Sequence, residues 1–271
     1  MCYITGIKGP VDPEMPRPAA TKRATHSFPG MRILGAGLLG LLVSGWFIAG
    51  SIAGYHEFAA RSFLDAWSYQ NSLLNVIGRS FSPTPTQTAS ARQHADLAVR
   101  LAPWNADNQL TAGNVYLWES ASAAPAPQWR EKSLMLLRNA CRISPSRPDL
   151  WARLARGKLM VGEVDAEFAT ALQNASRLGA WRPSTMYDIV EIGLRAWPKL
   201  DQATRESVLG IIANSQTWNA APNVSIRHAL VIQELTERLG RKADVCQQLT
   251  GPARASQRFC PADSNSKPGQ T

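Results

Sequence analysis

The chain has 271 residues, 45% hydrophobic and 18% charged, enough apolar material for one or two packed domains, which excludes a chain disordered throughout. Its net charge is +9, yet no basic run is longer than Arg241-Lys242 and acids are interspersed with the bases. That excludes the clustered positive face by which a nucleic-acid-binding domain is recognised.

Residues 1–30 carry Pro10, Pro13, Pro16, Pro18 and Pro29 without a helical or strand period. This reads as a disordered tail, and Met15 and Met31 within or beside it are alternative starts. An uncharged apolar run follows from Ile33 to Gly54. As a helix, its 22 residues reach about 33 Å, against a bilayer core of about 30 Å, and a helix satisfies its own backbone hydrogen bonds in hydrocarbon. A transmembrane helix is therefore expected over 31–56. Before it stand five bases (Lys8, Arg17, Lys22, Arg23, Arg32) against two acids, whereas His56, Glu57, Arg61 and Asp65 after it are balanced. The positive-inside rule then predicts a cytoplasmic N-terminus and a C-terminal domain across the inner membrane, in the periplasm. The alternative is a signal peptide cut between Ala53 and Gly54 at Ser51-Ile52-Ala53, although the apolar run exceeds the usual length of a signal core. Gly35-Ala36-Gly37-Leu38-Leu39-Gly40 fits a dinucleotide-binding pattern in letters but follows no strand. Gly50 and Gly54 form one G-x-x-x-G, and glycine is frequent in membrane helices anyway.

The rest reads as helix. A membrane-proximal helix from Glu57 to Phe81 ends in a linker, 57–87 in all, at Ser82-Pro83-Thr84-Pro85-Thr86. A helical domain is expected over 88–250, with helices at Thr88–Leu101, Asp107–Ser120, Gln128–Ile143, Pro148–Met160, Asp165–Leu178, Pro183–Trp197, Asp201–Asn214 and Asn223–Gly240. Pro148 suits a first helical turn, where its missing N–H costs nothing. Gly162 and Gly179 stand where a helix-ending glycine is expected. Residues 251–271 read as a flexible tail.

Three segments repeat: Ala98-Val99-Arg100-Leu101, Ala140-Cys141-Arg142-Ile143 and Ala175-Ser176-Arg177-Leu178, each followed by a turn, at intervals of 42 and 35 residues. The unit is close to the ~34 residues of a tetratricopeptide repeat (TPR), and Trp151-Ala152-Arg153-Leu154-Ala155 supplies its W-x-x-L-small opening. The expected fold is all-α: one N-terminal transmembrane helix followed by a TPR-like helical-repeat domain, an α-solenoid, in which stacked hairpins bury what one hairpin cannot. An irregular helical bundle is the competing reading.

No metal site, cofactor motif or nucleophile motif appears. His26, His56, His94 and His228 are isolated in sequence, and no C-x-x-C, H-E-x-x-H, G-x-S-x-G or P-loop lysine is present. Glu163, Asp165 and Glu167 form one acidic cluster. It admits a two-carboxylate catalytic reading, but its place after Gly162 favours a helix cap offsetting exposed N–H groups. Trp104, Trp151, Trp181 and Trp197 fall at helix ends or repeat positions, where they wedge helices together or, alternatively, stack on sugars. With Glu163 and Glu167 they make up the candidate packing or interaction surface. Cys246 and Cys260 can pair on an oxidising side of the membrane; Cys141 reads as a small core residue and Cys2 is given no role.

Several stretches carry a resemblance: Pro148-Asp149-Leu150-Trp151-Ala152, Gly162-Glu163-Val164-Asp165-Ala166-Glu167-Phe168, Leu178-Gly179-Ala180-Trp181-Arg182-Pro183, Glu191-Ile192-Gly193-Leu194-Arg195-Ala196-Trp197 and Ala243-Asp244-Val245-Cys246. They resemble the VpsP family of bacterial polysaccharide biosynthesis proteins over about two thirds of the chain. The longer proline-rich start, the Ala/Pro loop near Pro125 and the tail with Cys260 depart from it. The resemblance implies a place in an exopolysaccharide or capsule assembly system of a bacterial inner membrane. The expected function is a non-catalytic, membrane-anchored adaptor or assembly factor with no cofactor. Its expected partners are the other membrane proteins of that system, polysaccharide itself and the lipid bilayer, and not nucleic acid. The alternatives are a periplasmic carbohydrate-binding module guiding the nascent chain, or a hydrolase or transferase using Glu163 and Glu167.

Overall fold

A computed structural model describes residues 29–120, 127–215, 222–249 and 260; the expected N-terminal tail, the Ala/Pro loop and most of the expected C-terminal tail lie outside them. Among the described residues the regular structure is helical: α1 (Pro29–Val76), α2 (Pro85–Leu101), α3 (Ala106–Ser120), α4 (Pro127–Ile143), α5 (Pro148–Met160), α6 (Ala166–Gly179), α7 (Pro183–Ala196), a 3-10 turn at Trp197–Lys199, α8 (Gln202–Asn214), α9 (Pro222–Arg238) and α10 (Lys242–Gln248). The short α10 has no counterpart among the helices expected from sequence. The chain divides into two compact units, Met1–Gly45 and Trp46–Thr271.

In the first unit Leu38, Leu39, Leu41 and Leu42 of α1 stand exposed. Over Gly37 to Val76, α1 is long enough to cross a membrane and contains an 18-residue window apolar enough to do so, with a mean hydropathy of 1.7. The sequence reads this stretch as a transmembrane segment (31–56) with a membrane-proximal helix running out of it; the backbone runs through both as one helix. The helix stops at Val76 rather than Phe81, because Gly78 turns the chain at φ 71°. There Gly78 N–H donates to the Asn75 carbonyl and Arg79 N–H to the Leu74 carbonyl, pairing carbonyls that a helix end leaves open.

The second unit is two layers of helices. α3 packs on α4, α5 on α6 and α7 on α8. The odd-numbered helices also touch in succession, α3–α5–α7–α9, as do α6 and α8. The three repeated Ala-x-Arg-apolar segments end α2, α4 and α6, the same position in successive hairpins. Helix starts follow local chemistry. α2 begins at Pro85, three residues earlier than expected, because Thr84 and Gln87 form a reciprocal capping box around a proline at the first helical position. Pro148 and Pro183 open α5 and α7 in the same way.

Two apolar clusters hold the layers. Ala60, Leu64 and Trp67 of α1 pack with Ala91 and Ala95 of α2, Val115 and Tyr116 of α3 and Leu136 of α4. A longer cluster runs from Leu134 and Leu137 through Phe168, Leu172 and Ile189 to Ile232 and Val245. Small residues set the spacing between helices. The Ser133 hydroxyl donates to the Gly113 carbonyl at 2.8 Å across the α3–α4 contact. Gly179, expected to end α6 through a positive φ, is not among the positive-φ glycines. A Cβ on it would lie 2.6 Å from Pro148 and from Thr185, so its role is close approach between helices.

Gly193 and Gly210 make a controlled pair. A Cβ on Gly193 would sit 2.5 Å from a methyl of Val208, whereas one on Gly210 meets nothing within 4 Å. Alanine in a helix interior is favoured over glycine by about 1 kcal/mol, while overpacking costs about 1–3 kcal/mol. Gly193→Ala is therefore expected to lower the unfolding free energy and Gly210→Ala to raise it by up to about 1 kcal/mol, both read from urea unfolding of the full chain.

Candidate functional site

The acids of the 163–167 segment surround a lysine that sequence reading passed over. Lys158, in the last turn of α5, is 1% exposed. Its ammonium lies 2.9 Å from Glu163, 2.9 Å from Asp165 and 2.8 Å from Glu167. Arg138 of α4 reaches the same Glu167 with two hydrogen bonds, at 2.6 and 2.7 Å. Asp165 is also the cap of α6 and accepts from Phe168 N–H at 2.9 Å, as expected of that position. Glu163 and Glu167 are held by Lys158 and Arg138 rather than by backbone alone. Burial works against the Lys158 ammonium, but the hydrogen bonds it donates to the three carboxylates outweigh that and keep its pKa above the ordinary value. The Arg138 guanidinium, helped by Lys158, pulls Glu167 down to about 2.

The other sequence-predicted residues are spread over the fold. Trp104, on the α2–α3 turn, is 47% exposed and stacks on Trp46 of α1 with ring centroids 5.7 Å apart. Trp151 is half-buried and donates its indole N–H to the Pro145 carbonyl at 2.8 Å. Trp181 is exposed, with Arg182 over its ring at 5.3 Å. Trp197 is buried in the core. Of the six candidate surface residues, Trp151 and Glu167 line the same groove, one of about 470 Å³ between α4, α5 and α6 that also includes Met135 and Cys141. Burial raises the Cys141 thiol pKa to about 12, which leaves it unreactive.

The larger groove, about 800 Å³, lies between α1, α3 and α5 and is closed on one side by the loop after α1. Arg61, Arg153 and Arg156 reach into it, Phe81 and Trp118 form an apolar wall, and Asn71 and Asn114 add amide groups. Phe81 N–H donates to the Asn71 side chain at 3.1 Å, tying the loop to α1. Trp118 packs on Trp67 and Phe81 at 5.8 and 6.4 Å between centroids. Arg61 pairs with Glu57 at 2.6 Å. Arg156 pairs with Asp188 at 2.7 Å and Glu191 at 3.0 Å on α7, and its Nε has no hydrogen-bond partner among the described residues. Arg153 is exposed and makes no ion pair among them. Sequence reading missed this groove because its residues come from three helices and a loop far apart in the chain. The periodicity of Arg153 and Arg156 along one face of α5 was the available signal.

Histidines isolated in sequence also meet. His56 of α1 and His94 of α2 share a ring-nitrogen contact of 2.8 Å. Among the described residues no group of three or more His, Cys, Asp or Glu is placed to hold a metal ion. Cys246 of α10 and Cys260 form a disulfide with Cα atoms 5.4 Å apart, and Cys260 packs against the main core.

Two outcomes test these contacts. Lys158→Met leaves three carboxylates facing one another, each between 37% and 52% exposed. Solvent screens their repulsion, so the substitution should lower the unfolding free energy by about 1 kcal/mol or somewhat more. The loss should shrink in acid, because Glu167 normally contributes stability above its ordinary value of 4.5, and that contribution falls away toward about 2. Urea unfolding of both chains between pH 7 and pH 3 measures it. Separately, Cys260→Ser removes a bridge with a sequence separation of 14, and closing a loop of that size is worth about 3 kcal/mol. The expected result is a lower unfolding midpoint that dithiothreitol no longer changes, against a parent that it does.

No known protein-family model matches this chain, and no curated protein matches it either.

Proposed function

We propose that this protein is a non-catalytic, single-pass membrane adaptor that holds a partner segment in the groove between α1, α3 and α5, and that it serves a bacterial exopolysaccharide or capsule assembly system. The groove carries the binding part of this reading. It combines about 800 Å³ of space with an aromatic wall and arginines, the combination that gives helical-repeat proteins a binding face. Exposed Arg153 favours a partner with a carboxylate. The TPR-like character rests on the repeated Ala-x-Arg-apolar segments, and the pathway rests on the resemblance to the VpsP family.

Two independent features support a cytoplasmic N-terminus and a periplasmic helical domain. The bases before Ile33 favour an N-terminus in the cytoplasm. The Cys246–Cys260 bridge suits an oxidising compartment such as the periplasm. A catalytic reading of Glu163 and Glu167 fares worse. A general acid needs a carboxyl near its working pH, whereas Glu167 is held near 2 by Arg138 and Lys158.

Photo-crosslinking amino acids at Ser68 and Arg153 test the binding reading in cells. Adducts with another membrane protein of polysaccharide assembly are expected, with reduced secreted polymer when the gene is deleted. Normal polymer yield in the deletion strain, with no adduct at either position, would sink it. A carbohydrate-binding role is favoured by the same Trp118–Arg153 surroundings. Calorimetry of the full chain with uronic-acid oligosaccharides, giving heat that Trp118→Ala abolishes, would select that alternative.

A further inference from the structure

The turns after α2, α4 and α6 lie side by side along one edge of the second unit. Arg147 of the middle turn bonds Asp107 at the start of α3 at 2.9 Å and Asp149 at 2.6 Å. Arg182 of the next turn stands 4.0 Å from the same Asp149. Each turn follows one of the repeated Ala-x-Arg-apolar segments. The alanines, Ala98, Ala140 and Ala175, are buried, so packing accounts for them. The arginines, Arg100, Arg142 and Arg177, are exposed and in no ion pair among the described residues; Arg142 and Arg177 donate to the neutral Asn139 and Asn174. A base in a last turn offsets the helix dipole, and α5 and α7 carry one at the opposite edge. Those two, Lys158 and Arg195, are paired with carboxylates, whereas the three of the repeat are not. Beside them Trp104, Ile143 and Trp181 are 47%, 37% and 62% exposed.

α1 brings this edge to the membrane. Trp46 stacks on Trp104, His56 meets His94, and Ala60 shares a cluster with Ala91 and Ala95. α1 therefore runs antiparallel to α2, and its Trp46 end lies at the turn edge. Trp46 stands eight residues before Gly54, where the uncharged apolar run ends. Eight helical residues cover about 12 Å, whereas the headgroup layer is only roughly 5–8 Å thick on each side of the hydrocarbon. A domain that touches Trp46 cannot stand clear of the bilayer.

We infer that this turn edge rests in the headgroup layer of an anionic membrane, with the two tryptophans and Ile143 at the apolar boundary and the three repeat arginines against lipid phosphates. Tryptophan concentrates at that boundary because its ring is apolar and its N–H polar. Arginine lays its stem along apolar surface while its guanidinium reaches the phosphates, and bases near an anionic leaflet are drawn to it. Asp107 and Asp149, the acids of these turns, are taken up by Arg147 and leave that attraction unopposed. The docking rests on the reading of α1 as a membrane anchor.

The test places the full chain, with Cys2→Ser, in vesicles and reads a fluorescent label by quenching from lipids that carry a nitroxide at the headgroup. Cys141 is buried and Cys246 and Cys260 are bonded, so a single added cysteine takes the label. Ser146→Cys and Ser184→Cys report on the turn edge and Lys199→Cys on the opposite one; all three positions are exposed. In mixed phosphatidylglycerol and phosphatidylcholine, quenching at the first two should exceed that at the third at least threefold. It should fall at least twofold in phosphatidylcholine alone, and as far in the anionic vesicles when Arg100→Gln, Arg142→Gln and Arg177→Gln are combined. The unfolding midpoint of that variant should match the parent's, because the three side chains are exposed. Equal quenching at the three positions in membrane-retained chain overturns the docking alone. Quenching indifferent to lipid charge and to the arginines overturns it as well, and leaves an acidic protein as their partner. Recovery of the chain in the soluble fraction after an alkaline wash of cell membranes overturns the anchor, and the docking with it.

Discussion

The docking of α1 on the other helices of the second unit depends on Trp67. Its ring is almost wholly buried, touches Phe63 on its own helix and Trp118 of α3, and shares a cluster with α2 and α4. Burying a large apolar side chain is worth roughly 1.5–3 kcal/mol, and with Ala60 and Leu64 this ring seats the C-terminal part of α1 against the helical domain. A helical hairpin has one apolar face too many and needs a neighbour on each side. α1 supplies that neighbour for α2 and α3. The same helix therefore serves as the end cap of the domain and, before Trp46, as its most apolar segment. Trp118 links this contact to the proposed binding groove, since the ring that packs on Trp67 also forms the wall of that groove.

Helix positions were the legible part of the fold, because local rules set them. Pro148 and Pro183 mark first turns, Asp165 and Asp201 cap α6 and α8 through Phe168 and Thr204 N–H groups, and a 3.6 period fills the space between. Where the reading missed, a competing local or tertiary effect won. Thr84 and Gln87 drew the start of α2 forward to Pro85. Gly78 cut α1 short of Phe81. Gly179 is required by Pro148 and Thr185, contacts invisible until two helices are brought together. The seven-residue α10 is too short to show a period, and the disulfide beside it holds it in place.

Site chemistry was less legible, since charge partners are tertiary. The acids of residues 163–167 announced a cluster, but nothing local announced that Lys158 would point back into it. A lysine one turn before a glycine stop is ordinary surface chemistry in sequence. Buried with three carboxylates and followed by Glu167–Arg138, it becomes the tie between α4, α5 and the start of α6. Arg156 does the same between α5 and α7 with Asp188 and Glu191, and Arg147 between α3 and α5 with Asp107 and Asp149. Successive hairpins are thus joined by apolar contact in the middle and by arginine or lysine at the edges.

Those ties limit which charges are available to a partner. Arg156 lines the groove but is already neutralised by two carboxylates, and Arg61 by Glu57. Breaking either pair to bind a ligand would leave an acid uncompensated, which costs more than a surface ion pair returns. Arg153, exposed and in no ion pair among the described residues, carries no such debt. A ligand that discriminates this groove therefore does so through one guanidinium, the Phe81–Trp118 wall and the amides of Asn71 and Asn114. That chemistry suits a segment with one carboxylate beside an apolar or ring-shaped group better than one dense in negative charge, because each further carboxylate would meet guanidinium groups already paired, or Asp65, among the described groove residues.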